Sequence, residues 1–249
     1  MTETVESEPA RKTRAARVVA RLRTAYPDAT CALTHDNPLQ LLIATILSAQ
    51  CTDARVNKVT PALFARYPTA SDYRDSDREE LEELIRTTGF YRNKAKSVHG
   101  AASKISLDHG GEVPRTMEEL VGLPGVARKT ANVVLGTAFA IADGFVVDTH
   151  VFRLSHRLGL ASKKTPEQVE KQLTALLPRK DWIDFAHILI HHGRAVCNAK
   201  KPRCDDCVVA SMCPKTGVTP AQTKSTEASP RTTPLAERIA SGRRKTKAK

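Results

Sequence analysis

Four of the chain's six cysteines, Cys197, Cys204, Cys207 and Cys213, fall within 17 residues, separated by six, two and five positions. Thiolates are soft ligands, and four on one loop can wrap a single metal centre. Structural zinc commonly uses two Cys-x2-Cys knuckles. Here there is one close pair with wider arms. Spacing alone leaves zinc and an iron–sulfur cluster both open. The blandest alternative, four unrelated buried thiols, does not account for the clustering. No secretory signal is visible at the N-terminus, which argues against a disulfide framework.

A second constellation runs Leu120-Val-Gly-Leu123-Pro124-Gly125-Val126-Ala127-Arg128-Lys129-Thr130-Ala131. A helix enters, a Pro-Gly turn reverses the chain, and a new helix leaves with its first amides unsatisfied. Those N–H groups and the positive end of the helix dipole suit a phosphate. An ordinary helix–turn–helix connection would look much the same, but Arg128 and Lys129 beside the turn favour phosphate binding. A third signal pairs distant residues. Lys129 lies early on that helix, where burial and the dipole both favour a neutral, nucleophilic amine. Asp148 follows the apolar run Phe145-Val146-Val147, where solubility does not require a carboxylate. It could stabilise positive charge on a sugar carbon. The plain alternative is a surface lysine and an aspartate that caps the helix from Thr149.

These residues must be carried by helices, because helical spacing runs nearly throughout. Thr13–Tyr26 places Val18, Val19, Leu22 and Tyr26 on one face. Pro38–Ala49 is apolar on most sides and reads as a buried central helix. Two short pieces follow, split near Pro61. Glu79–Thr88 ends at Gly89, and Asn93–Leu107 stops at Gly110-Gly111. Thr116 with Glu119 and Thr165 with Gln168 are capping boxes, the second with Pro166 at the first helical position. Asp181–His192 halts at Gly193. No strand pair and no internal repeat is evident.

The 249 residues, 41% of them hydrophobic, are enough for a packed core. The most apolar stretches, Leu39–Leu47 and Val133–Ala142, are far shorter than the ~20 residues that cross a bilayer. The N-terminus lacks the apolar run of a secretory signal, so the expected compartment is the cytosol. Formal net charge is +12, which points to polyanions and to nucleic acid first. Residues 214–249 hold nine Lys/Arg and two Asp/Glu without periodicity, and read as a disordered basic tail. Residues 13–213 still carry +6 of their own. Weaker candidates include His187 and His191, four apart on a helix but without the zincin glutamate. Packing or DNA contact suits them better. Asp53 suits either a lesion-base contact or a helix cap. Trp182 and Phe185 read as core, Cys31 and Cys51 as buried thiols.

Taken together, the pieces resemble the endonuclease III family, bifunctional DNA glycosylases of the helix–hairpin–helix superfamily. The matching segments are Leu47-Ser-Ala-Gln50-Cys-Thr-Asp53, Thr88-Gly-Phe-Tyr-Arg-Asn-Lys-Ala95, Leu123 to Val134, Val147-Asp-Thr-His150, Ile190-His-His-Gly-Arg194 and the four cysteines. They run in the family order over residues about 18–213. The resemblance implies Lys129 as nucleophile and Asp148 as catalytic carboxylate. It implies a 4Fe-4S cluster on Cys197, Cys204, Cys207 and Cys213. Leu123, Gly125, Val126 and Ala127 would grip phosphate, with Arg128, Thr130 and His150 as further DNA contacts. Gln50 and Phe90 would enter the duplex around an extruded nucleotide. Phe90 stands where the family is often aliphatic, and a larger apolar wedge serves the same end. Ala127 replaces the usual second glycine of the hairpin. If that position needs positive φ, alanine costs about 1 kcal/mol; if it already opens the helix, alanine is harmless.

The implied fold is all-α and two-lobed. Residues 31–142 would form a six-helix barrel carrying the hairpin. Residues 13–30 plus 143–213 would form the iron–sulfur lobe. Residues 1–12 and 214–249 would be disordered, and the active site would lie where the lobes meet. The implied activity is removal of oxidised pyrimidines from duplex DNA, then cleavage at the abasic site, by a cytoplasmic, nucleoid-associated monomer with no membrane partner. An adenine-mispair glycosylase of the same superfamily would lack Lys129 and carry an extra C-terminal domain. A non-catalytic DNA-binding or metal-sensing module would not need Lys129 together with Asp148.

Overall fold

The computed structural model describes residues 6–219 and Gln222. Among them are eleven α-helices, several short 3-10 turns and no strand. The chain divides into two compact units, each with its own apolar core. One runs up to Thr30 and resumes at Gly144; the other is Cys31–Asp143.

The Cys31–Asp143 unit holds α2 (Pro38–Leu47), α3 (Asp53–Arg66), α4 (Ala70–Arg74), α5 (Arg78–Ile85), α6 (Tyr91–Asp108), α7 (Met117–Val121) and α8 (Arg128–Phe139). Helix α2 starts where Asn37 accepts the Gln40 amide and Pro38 opens the first turn. Leu41 to Leu47 are all buried, so α2 is the axis around which α3, α6 and α8 pack. Each such aliphatic side chain contributes about 2 kcal/mol relative to exposure. Helix α3 is continuous, which corrects the expected split at Pro61. Val56, Thr60 and Leu63 bury one face on both sides of the proline, and that packing holds the segment helical against a local breaker. Helix α4, which the apolar pattern did not reveal, is set by a reciprocal capping box between Thr69 and Asp72.

The other unit holds α1 (Glu8–Ala25), α9 (Thr149–Arg157), α10 (Pro166–Leu176) and α11 (Trp182–Ala195). Its core includes Leu22, Val151, Leu154, Leu173 and Leu189, with Phe145 edge-on to Phe185 at 6.3 Å. Two expectations about the termini need correction. Helix α1 starts at Glu8 rather than Thr13, because Ser7 accepts the Ala10 amide and a proline occupies the first turn. Residues 8–12 are therefore helical, while residues 1–5 lie outside the described residues. At the other end, the Thr216 amide donates to the Arg157 carbonyl at 3.3 Å. The ordered chain thus continues past Cys213, and most of the basic tail, residues 220–249 apart from Gln222, lies outside the described residues. No described helix is long and apolar enough to cross a membrane.

Candidate functional site

The α7–α8 hairpin is built by close approach to α6. Leu123 and Val126 are buried and anchor its two corners. Gly125 has φ +76°, and a Cβ there would lie 2.5 Å from Ser97 Oγ on α6. Glycine is thus required both for the backbone angle and for the space. Ala127 is the N-cap of α8 with φ −88° and ψ 166°. It is extended and opens the helix, so alanine carries no left-handed strain, which answers the question its substitution raised. It also places no capping side chain over the first turn. That turn contains no acid, only Arg128, Lys129 and Thr130. Cations at the positive end of a helix dipole are unfavourable by themselves and favour an anion bound there. Lys129 is exposed rather than partly desolvated, because Ala131, Val134 and Leu135 take the inward face of α8.

The same unit carries Gln50 and Phe90, both exposed and both in the left-handed region, at φ 51° and 50°. Among the described residues only Ala140 and Lys215 are the other non-glycines with positive φ. Each such residue costs about 1–2 kcal/mol, a strain that clusters at functional sites. Phe90 is 63% exposed, unusual for a large apolar side chain. Four residues on, Lys94 is buried and its ammonium donates to the Thr88 carbonyl at 2.8 Å. Burial lowers the Lys94 pKa, while the nearby Cys51, next to Gln50, raises it. The sequence gives this lysine of the Thr88–Ala95 segment no distinct role, since only burial separates it from a surface one. At Asp53 the capping role goes to Thr52, whose side chain accepts the Arg55 amide.

In the other unit, Phe145 and Val147 are buried and fix the approach to α9. Asp148 is the N-cap of that helix, and its carboxylate accepts the Val151 amide at 2.7 Å. His150 follows in the first turn, with Arg153 Nη2 3.2 Å from its Nδ1. Arg153 also donates to the Gly193 and Cys197 carbonyls, at 3.2 and 3.1 Å. Gly193 packs closely here, since a Cβ would lie 3.0 Å from His150 Nδ1 and press on that side chain. Burial lowers the Arg153 pKa, and Cys197 and Asp148 oppose that shift. Further along α9, buried Arg157 donates to the Asn198 and Ala199 carbonyls at 2.7 and 2.8 Å. One helix thus carries Asp148 at its start and grips the cysteine loop along its length.

The four cysteines line one cavity with Leu154, Arg157, His192 and Val196. Short 3-10 turns at Cys204–Asp206 and Ala210–Met212 bend the loop around it. Burial raises the Cys204 and Cys213 thiols and pushes Cys207 up to about 11. Among the described residues no three His, Cys, Asp or Glu side chains gather tightly enough for a single ion. The shared cavity, rather than a compact cage, defines this site. Its donor set, four cysteine sulfurs with the Lys215 amide 3.3 Å from Cys213 Sγ, fits a thiolate-held iron–sulfur cluster. His187 and His191 form no part of it. Burial, then His191, lowers the His187 pKa, while His191 Nε2 meets the Thr30 carbonyl at 3.1 Å. Trp182 is half-buried, its indole donating to the Leu177 carbonyl.

A family model described as the HhH-GPD superfamily base excision DNA repair protein matches residues 43–179. The chain is 55% identical over 214 residues to the endonuclease III of Synechocystis sp., covering 86% of this chain and 98% of that one. It is 41% identical over 196 residues to the endonuclease III of Escherichia coli strain K12, covering 79% and 92%. Among solved structures, an endonuclease III trapped as a covalent intermediate with DNA superposes with a TM-score of 0.78 at 44% identity. That match covers 82% of this chain and 96% of the other.

Proposed function

The chain belongs to the HhH-GPD superfamily of base excision DNA repair proteins and within it to the endonuclease III family, and from that premise we propose which residues perform its chemistry. The protein is a DNA glycosylase with abasic-site lyase activity, and duplex DNA is its substrate. The observation that carries the residue assignment is Lys129, exposed on the first turn of α8 behind a hairpin whose cap leaves room for phosphate.

Lys129 is the nucleophile. The Gly125 and Ala127 amides hold a backbone phosphate, with Arg128 and Thr130 alongside, while the Val126 amide closes the turn on the Leu123 carbonyl at 3.1 Å; His150, on α9, is a further DNA contact. Gln50 and Phe90, presented by their left-handed turns, fill the stack when a nucleotide leaves it. A damaged base flips at lower cost than an intact one, and oxidised pyrimidines are the proposed class. The Lys129 amine attacks C1′ as the glycosidic bond breaks and the base leaves with its electron pair. Asp148 stabilises cationic character on the sugar and takes up the lysine proton. Ring opening gives an imine between Lys129 and C1′. That imine acidifies the C2′ proton, whose loss expels the 3′ phosphate by β-elimination. Water then hydrolyses the imine and frees the lysine.

Cys197, Cys204, Cys207 and Cys213 hold a 4Fe-4S cluster. When bound, it ties the 197–213 loop together and supplies no electron to the steps above. Cytoplasmic action on chromosomal DNA follows from the same reading. Borohydride trapping on a duplex with one abasic site tests the assignment. Wild type forms a covalent adduct and Lys129→Gln forms none. An adduct of normal yield in that variant would move the nucleophile to another amine.

A further inference from the structure

Behind the cysteine loop lies a buried polar pair that the proposed reaction does not use. Tyr26, at the end of α1, is 4% exposed, and His192, on α11, is 1% exposed. The Tyr26 hydroxyl lies 2.9 Å from His192 Nδ1, and the rings meet edge to face at 5.6 Å. On its other side, His192 Nε2 lies 3.5 Å from Cys207 Sγ. The imidazole is therefore held between a phenol and a ligand sulfur.

Which nitrogen carries hydrogen follows from electrostatics. Burial favours the neutral ring, with one N–H. With hydrogen on Nδ1, the Nε2 lone pair would face a thiolate, and two electron-rich atoms would repel. With hydrogen on Nε2, the tyrosine donates to Nδ1 and the ring donates to sulfur. Every polar atom along this path is then satisfied.

We infer that Tyr26 and His192 act as a relay that donates a hydrogen bond to Cys207 Sγ, holding it in place as a cluster ligand and setting the cluster's reduction potential. The inference rests on the reading of the four cysteines as 4Fe-4S ligands. Hydrogen bonds to ligand sulfurs withdraw charge from an iron–sulfur centre and tune its potential. Withdrawal favours the reduced form, so the relay makes the potential more positive. Tyr26 and His192 are positioning residues, since they act through Cys207.

The experiment uses the full-length protein purified without oxygen. Iron and sulfide content of the wild type is measured first. A wild type without iron overturns the cluster reading itself, independently of the relay. Protein-film voltammetry then compares wild type, Tyr26→Phe, His192→Gln and His192→Leu. The potential of His192→Leu shifts to a more negative value. His192→Gln, whose amide N–H reaches toward the same sulfur, lies nearer wild type. Tyr26→Phe shifts in the same direction as leucine but less. Unshifted potentials in Tyr26→Phe and His192→Leu at full iron content overturn the relay. If leucine loses iron, retention by glutamine supports it. Loss of iron in both, with an unshifted Tyr26→Phe, overturns it.

Discussion

At Asp148 the carboxylate already accepts the Val151 amide at 2.7 Å, so its removal disturbs both the start of α9 and the proposed chemistry. Two substitutions separate these effects. Asparagine caps a helix about as well as aspartate, whereas alanine forfeits about 1 kcal/mol. Asp148→Asn is therefore expected to melt within about 0.5 kcal/mol of wild type, and Asp148→Ala about 1 kcal/mol lower. Both should slow base release by about 100-fold or more, while Asp148→Asn still nicks a preformed abasic site. Single-turnover kinetics and thermal melting on the same preparations check this. Equal stability of the two variants would discard the cap, and wild-type excision by asparagine would discard the catalytic role. Lys94 gives a further residue-level test. Lys94→Met removes the donor from the buried Thr88 carbonyl and is expected to cost about 1–3 kcal/mol, read by denaturant unfolding.

The hairpin is the element on which most of the proposed site depends, and Gly125 is its tightest point. Gly125→Ala meets both a positive φ and the Ser97 side chain. The expected loss is about 2 kcal/mol, with weaker DNA binding because the Gly125 and Ala127 amides move. Ser97→Gly should recover part of the stability by removing the clash, leaving the backbone strain. No recovery in the double variant would mean that the strain alone limits the turn. Helix α11 is expected to show a pH effect. Burial, reinforced by His191 and opposed by Asp184, lowers His187 below its ordinary 6.5. The unfolded chain then binds more protons in the window just below 6.5. Stability is full above that value and falls as pH drops through it. His187→Gln should flatten this acid limb of a melting-temperature profile, and an unchanged limb would locate the sensitivity elsewhere.

For the whole molecule, the +12 net charge is unevenly spread: residues 220–249 hold eight Lys/Arg and two Asp/Glu. Each neutralised phosphate adds about −0.9 to the log–log dependence of affinity on salt. Truncation after Thr219 is therefore expected to flatten that slope while leaving strand cleavage intact, since every proposed site residue precedes the cut. Binding titrations at four salt concentrations, with and without the tail, measure it. An unchanged slope would show that the tail makes no phosphate contact. The cut belongs after Thr219 rather than after Cys213 because Thr216 is bonded to Arg157, whose side chain holds the cysteine loop.

The residues proposed to carry the chemistry were selected from the sequence because their types and spacing are local: the cysteine run, the Leu-Pro-Gly-Val turn, and Asp148 after an apolar triplet. Helices with apolar faces and strong caps were legible for the same reason. The expectations at Pro61 and α4 failed where local rules met packing or missing periodicity. Pro61 sits within an unbroken α3 because buried neighbours on either side hold it, and α4 is too short to show an apolar face. Only the tertiary structure decided that Ala127 is extended, that Gln50 and Phe90 stand in left-handed turns, and that Lys94 is buried. It alone placed Tyr26, His192 and Cys207 in one line. Those facts depend on which side chains meet across long separations in sequence, and no local pattern records that. The sequence thus determined which groups could react; burial and backbone geometry decided which of them are aimed, strained or held.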